Sequence, residues 1–314
     1  MINKFYLNVL KFSPFLVLQA VLAFSVLSCA SNAASAEEYF SIGMAYYELG
    51  KFTEAERWLQ RAAAADKTMV ASEYNLGRIA FETGRYEDAS VYFESVLKKD
   101  PNNVIALKAA AYTGIKRGNL SQAESFYDRV LALTPESSDD GYNYALVLYA
   151  MEKYGDCLNV LQKYPYALDE KPDALLLYAR AQAAADRVEA ADSFAKWLNM
   201  GNAENPGVLY EYARVLEKAE LYALALEQYR AARSALNYDT GDLQRNRIQF
   251  DIARILLTAD PGNPEGTDEL NAAVNEGFND AKALEELLLD DRMDEEQRDE
   301  IRNILGNMTS ETDS

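Results

Sequence analysis

Histidine is absent from all 314 residues, and that omission removes much of the chemistry a chain of this size might perform. Without imidazole there is no Ser-His or Cys-His activation, no histidine general acid or base, and no histidine metal ligation. The two cysteines, Cys29 and Cys157, are too few for a disulfide framework or a four-thiolate metal site. Asp and Glu total 50 against 31 Lys and Arg, but none of these carboxylates stands in a motif that sets it apart from ordinary helix-surface charge. Glycan hydrolysis would need a convergent acid pair, and no spacing announces one. The reading is therefore non-enzymatic, with no cofactor and no metal. A formal charge of -19 gives the long-range field the wrong sign for nucleic acid. Recognition remains. Tyrosine is abundant, at 21 residues; it offers a flat apolar face plus a hydroxyl, while arginine can grip a carboxylate through two parallel hydrogen bonds.

The elements that must position such residues show themselves through period. Ala55, Ala89, Ala123, Cys157, Ala191 and Ala225 fall 34 residues apart, each preceded at three residues by a bulky one (Phe52, Tyr86, Leu120, Tyr154, Val188, Tyr222). Twelve residues before each stands Gly43, Gly77, Ala111, Ala145, Ala179 or Ala213. Two helices and two short turns fill such a period, the repeat length of a helix-turn-helix solenoid. The small columns belong where helices cross closely, and the bulky residues fill the space between. Cys157 then reads as a small buried hydrophobe. Gly50, Gly84 and Gly118 recur in the turn between paired helices, where the backbone can need positive φ.

Ahead of the repeats, residues 1–13 carry Lys4 and Lys11 and no acid, and residues 14–28 (PFLVLQAVLAFSVLS) are almost continuously apolar. That is the layout of an export signal, short for a membrane span. Two processing sites compete. Val26-Leu27-Ser28-Cys29 resembles a bacterial lipobox, which would make Cys29 the first mature residue and a bearer of acyl chains such as palmitate. Several chains hold a protein stably on a membrane where one does not. Ala34-Ser35-Ala36 is the rival, an A-x-A site that would release a soluble periplasmic or secreted protein. By resemblance to bacterial lipoproteins, Ala30 after the cysteine implies outer-membrane sorting, facing the periplasm.

The repeat registers resemble the tetratricopeptide repeat (TPR) family. In the first copy Tyr39, Ile42, Gly43 and Tyr46 fall on the family's W, L, G and Y, and Ala55, Leu59 and Ala62 on its A, F and A. The second, with YNLGRIAFETGRYEDASVYFESVLKKDP, is nearly a consensus copy. The resemblance implies an all-α, right-handed superhelical solenoid. Its parts would be an export signal over 1–28, a tether over 29–35, six repeats over 36–239 and a divergent seventh over 240–277. Capping helices would follow over 278–307 and a disordered tail over 308–314. In the seventh repeat a helix is expected over 243–258, then a long turn through DPGNPEGTD, then a helix over 269–276.

In that family the concave groove is lined by fixed positions of each first helix, and carrying these over names candidate binding residues. Position 5 gives Phe40, Tyr74, Lys108, Tyr142, Tyr210 and Phe250; position 9 gives Met44, Arg78, Tyr112, Arg180, Arg214 and Arg254. Position 12 gives Tyr47, Phe81 and Tyr149, with Ile115, Ala183, Glu217 and Leu257 in the third, fifth, sixth and seventh copies. The implied groove is aromatic early and basic late, suited to a partner with an apolar and an acidic portion. The family's clamp for chaperone carboxyl termini is not reproduced: Asn75 matches its middle element, but Phe40, Met44, Ile105 and Ala109 occupy the other places. The function this implies is a scaffold or adaptor holding a protein or peptide in a bacterial cell envelope. The resemblance extends to proteins that aid outer-membrane protein insertion or serve pilus secretins. The alternative is a small-ligand or peptide module that accompanies a transporter or its solute-binding protein. Oligomeric state stays open.

Overall fold

The structure, a computed structural model, describes residues 35–202, 204–236 and 243–312. Cys29, the export segment and most of the tether lie outside the described residues. Every regular element among the described residues is helical, and the chain divides after Pro135 into two compact units.

In the first unit, helices α1 (Ala36–Glu48) and α2 (Phe52–Ala65), α3 (Val70–Glu82) and α4 (Tyr86–Lys99), and α5 (Val104–Lys116) and α6 (Leu120–Leu133) form three antiparallel pairs. Ser35 opens α1 with a capping box, its hydroxyl accepting from Glu38 N while Glu38 reaches back to Ser35 N. The small columns lie at the crossings. A Cβ on Gly43 would sit 2.8 Å from Leu59 Cγ, and one on Gly77 would sit 2.7 Å from Phe93 Cε1. Ala55, Ala89 and Ala123 are wholly buried. The crossings are thus closed by the large residue four places after each small one, as ridges filling grooves.

The second unit begins with α7 (Ser138–Ala150) and α8 (Tyr154–Leu161), followed by a short α9 (Pro165–Glu170). The fourth copy's second helix is thus broken in two. Pro165 has no N–H to give the carbonyl of Leu161, which accepts from Tyr164 N (3.0 Å) instead. Next come α10 (Pro172–Ala184), α11 (Ala190–Trp197), α12 (Pro206–Lys218), α13 (Tyr222–Ala235), α14 (Arg245–Ala259), α15 (Pro264–Asn275), α16 (Ala281–Leu288) and α17 (Glu295–Thr312). The turn in the seventh copy is shorter than its DPGNPEGTD segment suggests, and its second helix starts at Pro264 rather than at 269. Asn263 caps it by accepting from Glu265 N, and proline at the first helical position costs no hydrogen bond. The last helix runs to Thr312, into the stretch expected as a tail.

One column does not survive folding intact. In the fifth copy Ala190, not Ala191, takes the fully buried place. Its N–H bonds Arg187 O, whereas in the sixth copy Ala225 N bonds Leu221 O, four residues back. The shifted register buries Phe194 and Trp197, which the strict spacing would replace with Ala195 and Leu198. Larger apolar area removed from water decides the register. A kinked turn at Leu198–Asn202, where Gly201 has a φ of 90°, then takes up the displaced residue before α12.

The turn column is more regular in conformation than in sequence. Gly50, Gly84 and Gly118 have φ of 70, 76 and 72°, and the same register continues through Glu152, Asp186 and Glu220 at 60, 55 and 59°. In all six the next residue's N–H reaches back five residues, as from Lys51 to Tyr46 O and from Leu221 to Leu216 O, closing a Schellman turn. A left-handed conformation costs a residue with a Cβ about 1–2 kcal/mol. Glu220→Gly is therefore expected to stabilise the protein by about 0.5–1 kcal/mol, after allowance for the freer unfolded chain. Urea denaturation should show the midpoint rise with m unchanged.

Candidate functional site

Six of the aromatic and basic groove residues named from the family pattern meet in the second unit. Tyr149, Arg180, Tyr210, Arg214, Phe250 and Arg254 line one cavity of about 980 Å³. Helices α10, α12 and α14 each present the same register toward it, because the adjoining faces carry the buried columns Ala179, Ala213 and Ala253. The far wall comes from the C-terminal helices, through Ala283, Glu286 and Leu287 of α16 and through Asp290 and Arg292 just beyond it. Arg292 grips Asp290 with bonds of 2.9 and 2.6 Å and reaches the hydroxyl of Tyr222 at 3.4 Å, joining that wall to α13. Sequence spacing gave no hint of this wall, since those helices carried only a capping expectation.

The late arginines converge but do not make a basic surface. Arg180 Nε and Nη2 donate to both oxygens of Glu211 at 2.7 and 2.9 Å. Arg254 donates to both oxygens of Glu217 and, at 3.0 Å, to Asp251 Oδ1. Asp251, only 2% exposed, also accepts from Tyr210 at 2.6 Å and from Arg247 Nε at 3.4 Å. Glu211, Glu217, Asp251, Glu286 and Asp290 thus share the lining with the cations. The expectation of a basic late groove is corrected: counting position 9 alone missed the acids at neighbouring helical positions that neutralise it.

Burial and charge shift the groups inside. Burial first, then the charge and hydrogen bond of Asp251, push the Tyr210 hydroxyl up to about 12. Burial also raises Glu217, but the bond and charge of Arg254, together with the Tyr229 bond and the charge of Arg214, outweigh it and leave the carboxyl below its ordinary value. Tyr229, whose hydroxyl donates to Glu217 at 3.0 Å, is raised mainly by burial. None of these groups is poised to exchange a proton near neutrality.

Phe250 is a correction of another kind. Its ring is 1% exposed and stacked on Phe278 at 4.3 Å, so it floors the cavity from within the core. Tyr142 is half-buried in α7 and does not line the cavity. The candidates in the first unit form a row of their own. Phe40, Met44 and Tyr47 pack on the cluster of Leu59, Leu76 and Ile79. Tyr74 meets Phe93 at 5.6 Å. Arg78 lies over Tyr47 at 4.6 Å and bonds its hydroxyl at 2.9 Å. Phe81 touches Tyr86 at 5.3 Å and Tyr112 at 5.2 Å, Tyr112 remains exposed, and Lys108 is half-buried. Cys157 is fully buried, and burial raises its thiol to about 12, the state of an inert core residue. Among the described residues no group of three His, Cys, Asp or Glu is placed to hold a metal, and no helix is long and apolar enough to cross a membrane.

Paired helices at a 34-residue pitch, with small residues at each crossing, define an all-α solenoid. Residues 46–111 and 80–140 match the tetratricopeptide repeat, and residues 116–198 match anaphase-promoting complex, cyclosome, subunit 3. The tetratricopeptide repeat match thus extends over residues 46–140. No curated protein matches the chain. Among solved structures, a tetratricopeptide repeat protein from Parabacteroides merdae is similar at 18% identity and a TM-score of 0.54, over 80% of this chain and 96% of that one. YrrB, described as a TPR protein with an unusual peptide-binding site, is similar at 18% identity and a TM-score of 0.52, over 57% of this chain and 92% of its own. Pseudomonas aeruginosa pilF is similar at 20% identity and a TM-score of 0.50, over 67% and 90%. At these identities the likeness concerns the fold.

Proposed function

We propose that the protein is a non-catalytic scaffold that holds a segment of a protein partner in the cavity of its second unit. The single observation that carries this is the convergence of Tyr149, Arg180, Tyr210, Arg214 and Arg254, from four successive first helices, on one lined space. YrrB, with its peptide-binding site, lends the reading support through a shared fold. Export and acylation at Cys29 would place the scaffold on the membrane of a bacterial envelope, facing the periplasm; the intact mass of the mature N-terminus tests that part. A second reading, a compact small ligand, is favoured by the wall that α16 adds and by a volume of about 980 Å³, at the upper end of small-molecule sites.

A photo-crosslinking side chain at Tyr149, inside the cavity, should capture a defined partner in cells. The same group at Val188, which is 82% exposed and outside the lining, should not. Equal capture at both positions, or none at Tyr149, would reject the cavity as the partner's seat.

A further inference from the structure

Position 9 of these first helices has a consistent habit, and Arg214 breaks it. Arg78 lies on the ring of Tyr47, 31 residues earlier. Arg180 follows Tyr149 by the same 31 residues, and its charge acts on that hydroxyl. The residue so placed for Arg214 is Ala183, which has no ring. The forward partner fails as well. Arg180 reaches Glu211, 31 residues on. The same step from Arg214, lengthened by the six-residue delay of the seventh copy, arrives at Asp251. That carboxylate is already taken by Tyr210, Arg247 and Arg254. Glu217 attracts Arg214 from a distance, but its oxygens are occupied by Arg254 and Tyr229.

Arg214 is consequently exposed, lines the cavity and forms no ion pair or hydrogen bond among the described residues. The other lining cations are engaged: Arg180 with Glu211, Arg247 with Asp280, Arg254 with Glu217, Arg292 with Asp290 and Lys218 with Asp186. Beside the one unengaged guanidinium lies the space that a ring at position 183 would fill.

We propose that Arg214 and the space over Ala183 form a subsite for a single carboxylate carried next to an aromatic or apolar group. The guanidinium supplies two parallel N–H donors to the carboxylate, and the neighbouring group occupies the place of the missing ring. A second anion would find its cations already neutralised, so the preference is for one negative charge. This rests on the reading of the cavity as a binding site, and it names what that site selects.

Two random peptide pools without Asp or Glu, one ending in a free carboxylate and the other in an amide, would be passed over the immobilised full chain. Phenylpropionate and its amide would be tested in parallel by direct titration. The acid forms are expected to be favoured about tenfold or more, as for a charge-assisted hydrogen-bonded pair. That preference should vanish in Arg214→Gln and in Ala183→Tyr. Arg214 is exposed, so the first variant should fold normally. The second should keep or raise its Tm, because a tyrosine there meets Arg214 as Tyr47 meets Arg78. Equal retention of acid and amide, or a preference that survives Arg214→Gln, would overturn the subsite and leave the peptide reading standing. An Arg214-dependent preference for phenylpropionate with no peptide retained would uphold the subsite and reject the protein partner. If no probe were retained, both would fall.

Discussion

Gly141→Ala should destabilise the protein by about 2–3 kcal/mol, although the added methyl favours a helix by about 1 kcal/mol. A Cβ at this position would stand 2.1 Å from Cε2 of Tyr164 and 2.8 Å from two further ring atoms, far inside any tolerated contact. The ring is buried at 9% exposure, so it cannot swing aside without opening the core behind it. The repeat explains the arrangement. The places of Gly141 and Tyr164 are held in the third copy by Leu107 and Val130, both fully buried, and in the sixth by Leu209 and Ala232. The fourth copy has moved the bulk from the first helix to the break between α8 and α9. A Gly141→Leu, Tyr164→Val double variant, which transplants the third copy's pair, should therefore be much closer to wild type than Gly141→Leu alone. The coupling should be of the 1–3 kcal/mol size seen between touching residues. Urea midpoints of the four corners of the cycle measure it, and additive losses would mean that the two places do not share one volume.

That exchange shows why form was easier to read than detail. The 34-residue columns of Gly77, Ala111 and their equivalents are written in residue type, because a helix crossing tolerates no Cβ branching at one point in each period. The Gly141–Tyr164 pair is not, since each residue looks anomalous alone and only their contact makes sense of both. The turn column behaves similarly. Glycines announced positive φ at 50, 84 and 118, but nothing about Glu152, Asp186 or Glu220 signals that the Schellman turn persists there. At the fifth copy the strict period was itself misleading, because Phe194 and Trp197 outweigh a one-residue slip. The same holds in the cavity. Arg180, Arg214 and Arg254 have one identity and one register, yet two are clamped and one is not. What separates them is which carboxylate lies within a few ångströms, and that depends on the slip of α14 and on a ring present at 149 but absent at 183. Electrostatic fate is a property of pairs, and a single chain read residue by residue exposes only one member of each.

Arg254→Ala should cost about 3 kcal/mol at neutral pH, at the low end for a broken buried ion pair because the guanidinium keeps 30% of its exposure. Removal strands two carboxylates. Asp251 retains Tyr210 and Arg247, while Glu217 is left with the Tyr229 hydroxyl alone. The pH dependence tells this apart from lost packing. In the wild type, burial pushes Glu217 up, and Arg254, joined by the Tyr229 bond and the charge of Arg214, more than reverses it, so the folded carboxyl titrates below the unfolded value of 4.5. Its contribution is complete above that value and is lost as the pH falls through the depressed folded one. Without Arg254 the upward push of burial is opposed by no more than the bond from Tyr229 and the more distant charge of Arg214. The variant then takes up a proton on Glu217 more readily folded than unfolded, and acid relieves it. The gap between wild type and Arg254→Ala should consequently narrow from neutral pH toward pH values below 4.5. Paired denaturation curves at several pH values read this directly. A constant gap would mean that the arginine acts through its aliphatic stem, and the ionic account of the cavity wall would have to be given up. Arg214→Ala breaks no pair and removes only a distant charge from Glu217, so it should show a much smaller loss and a much weaker pH trend.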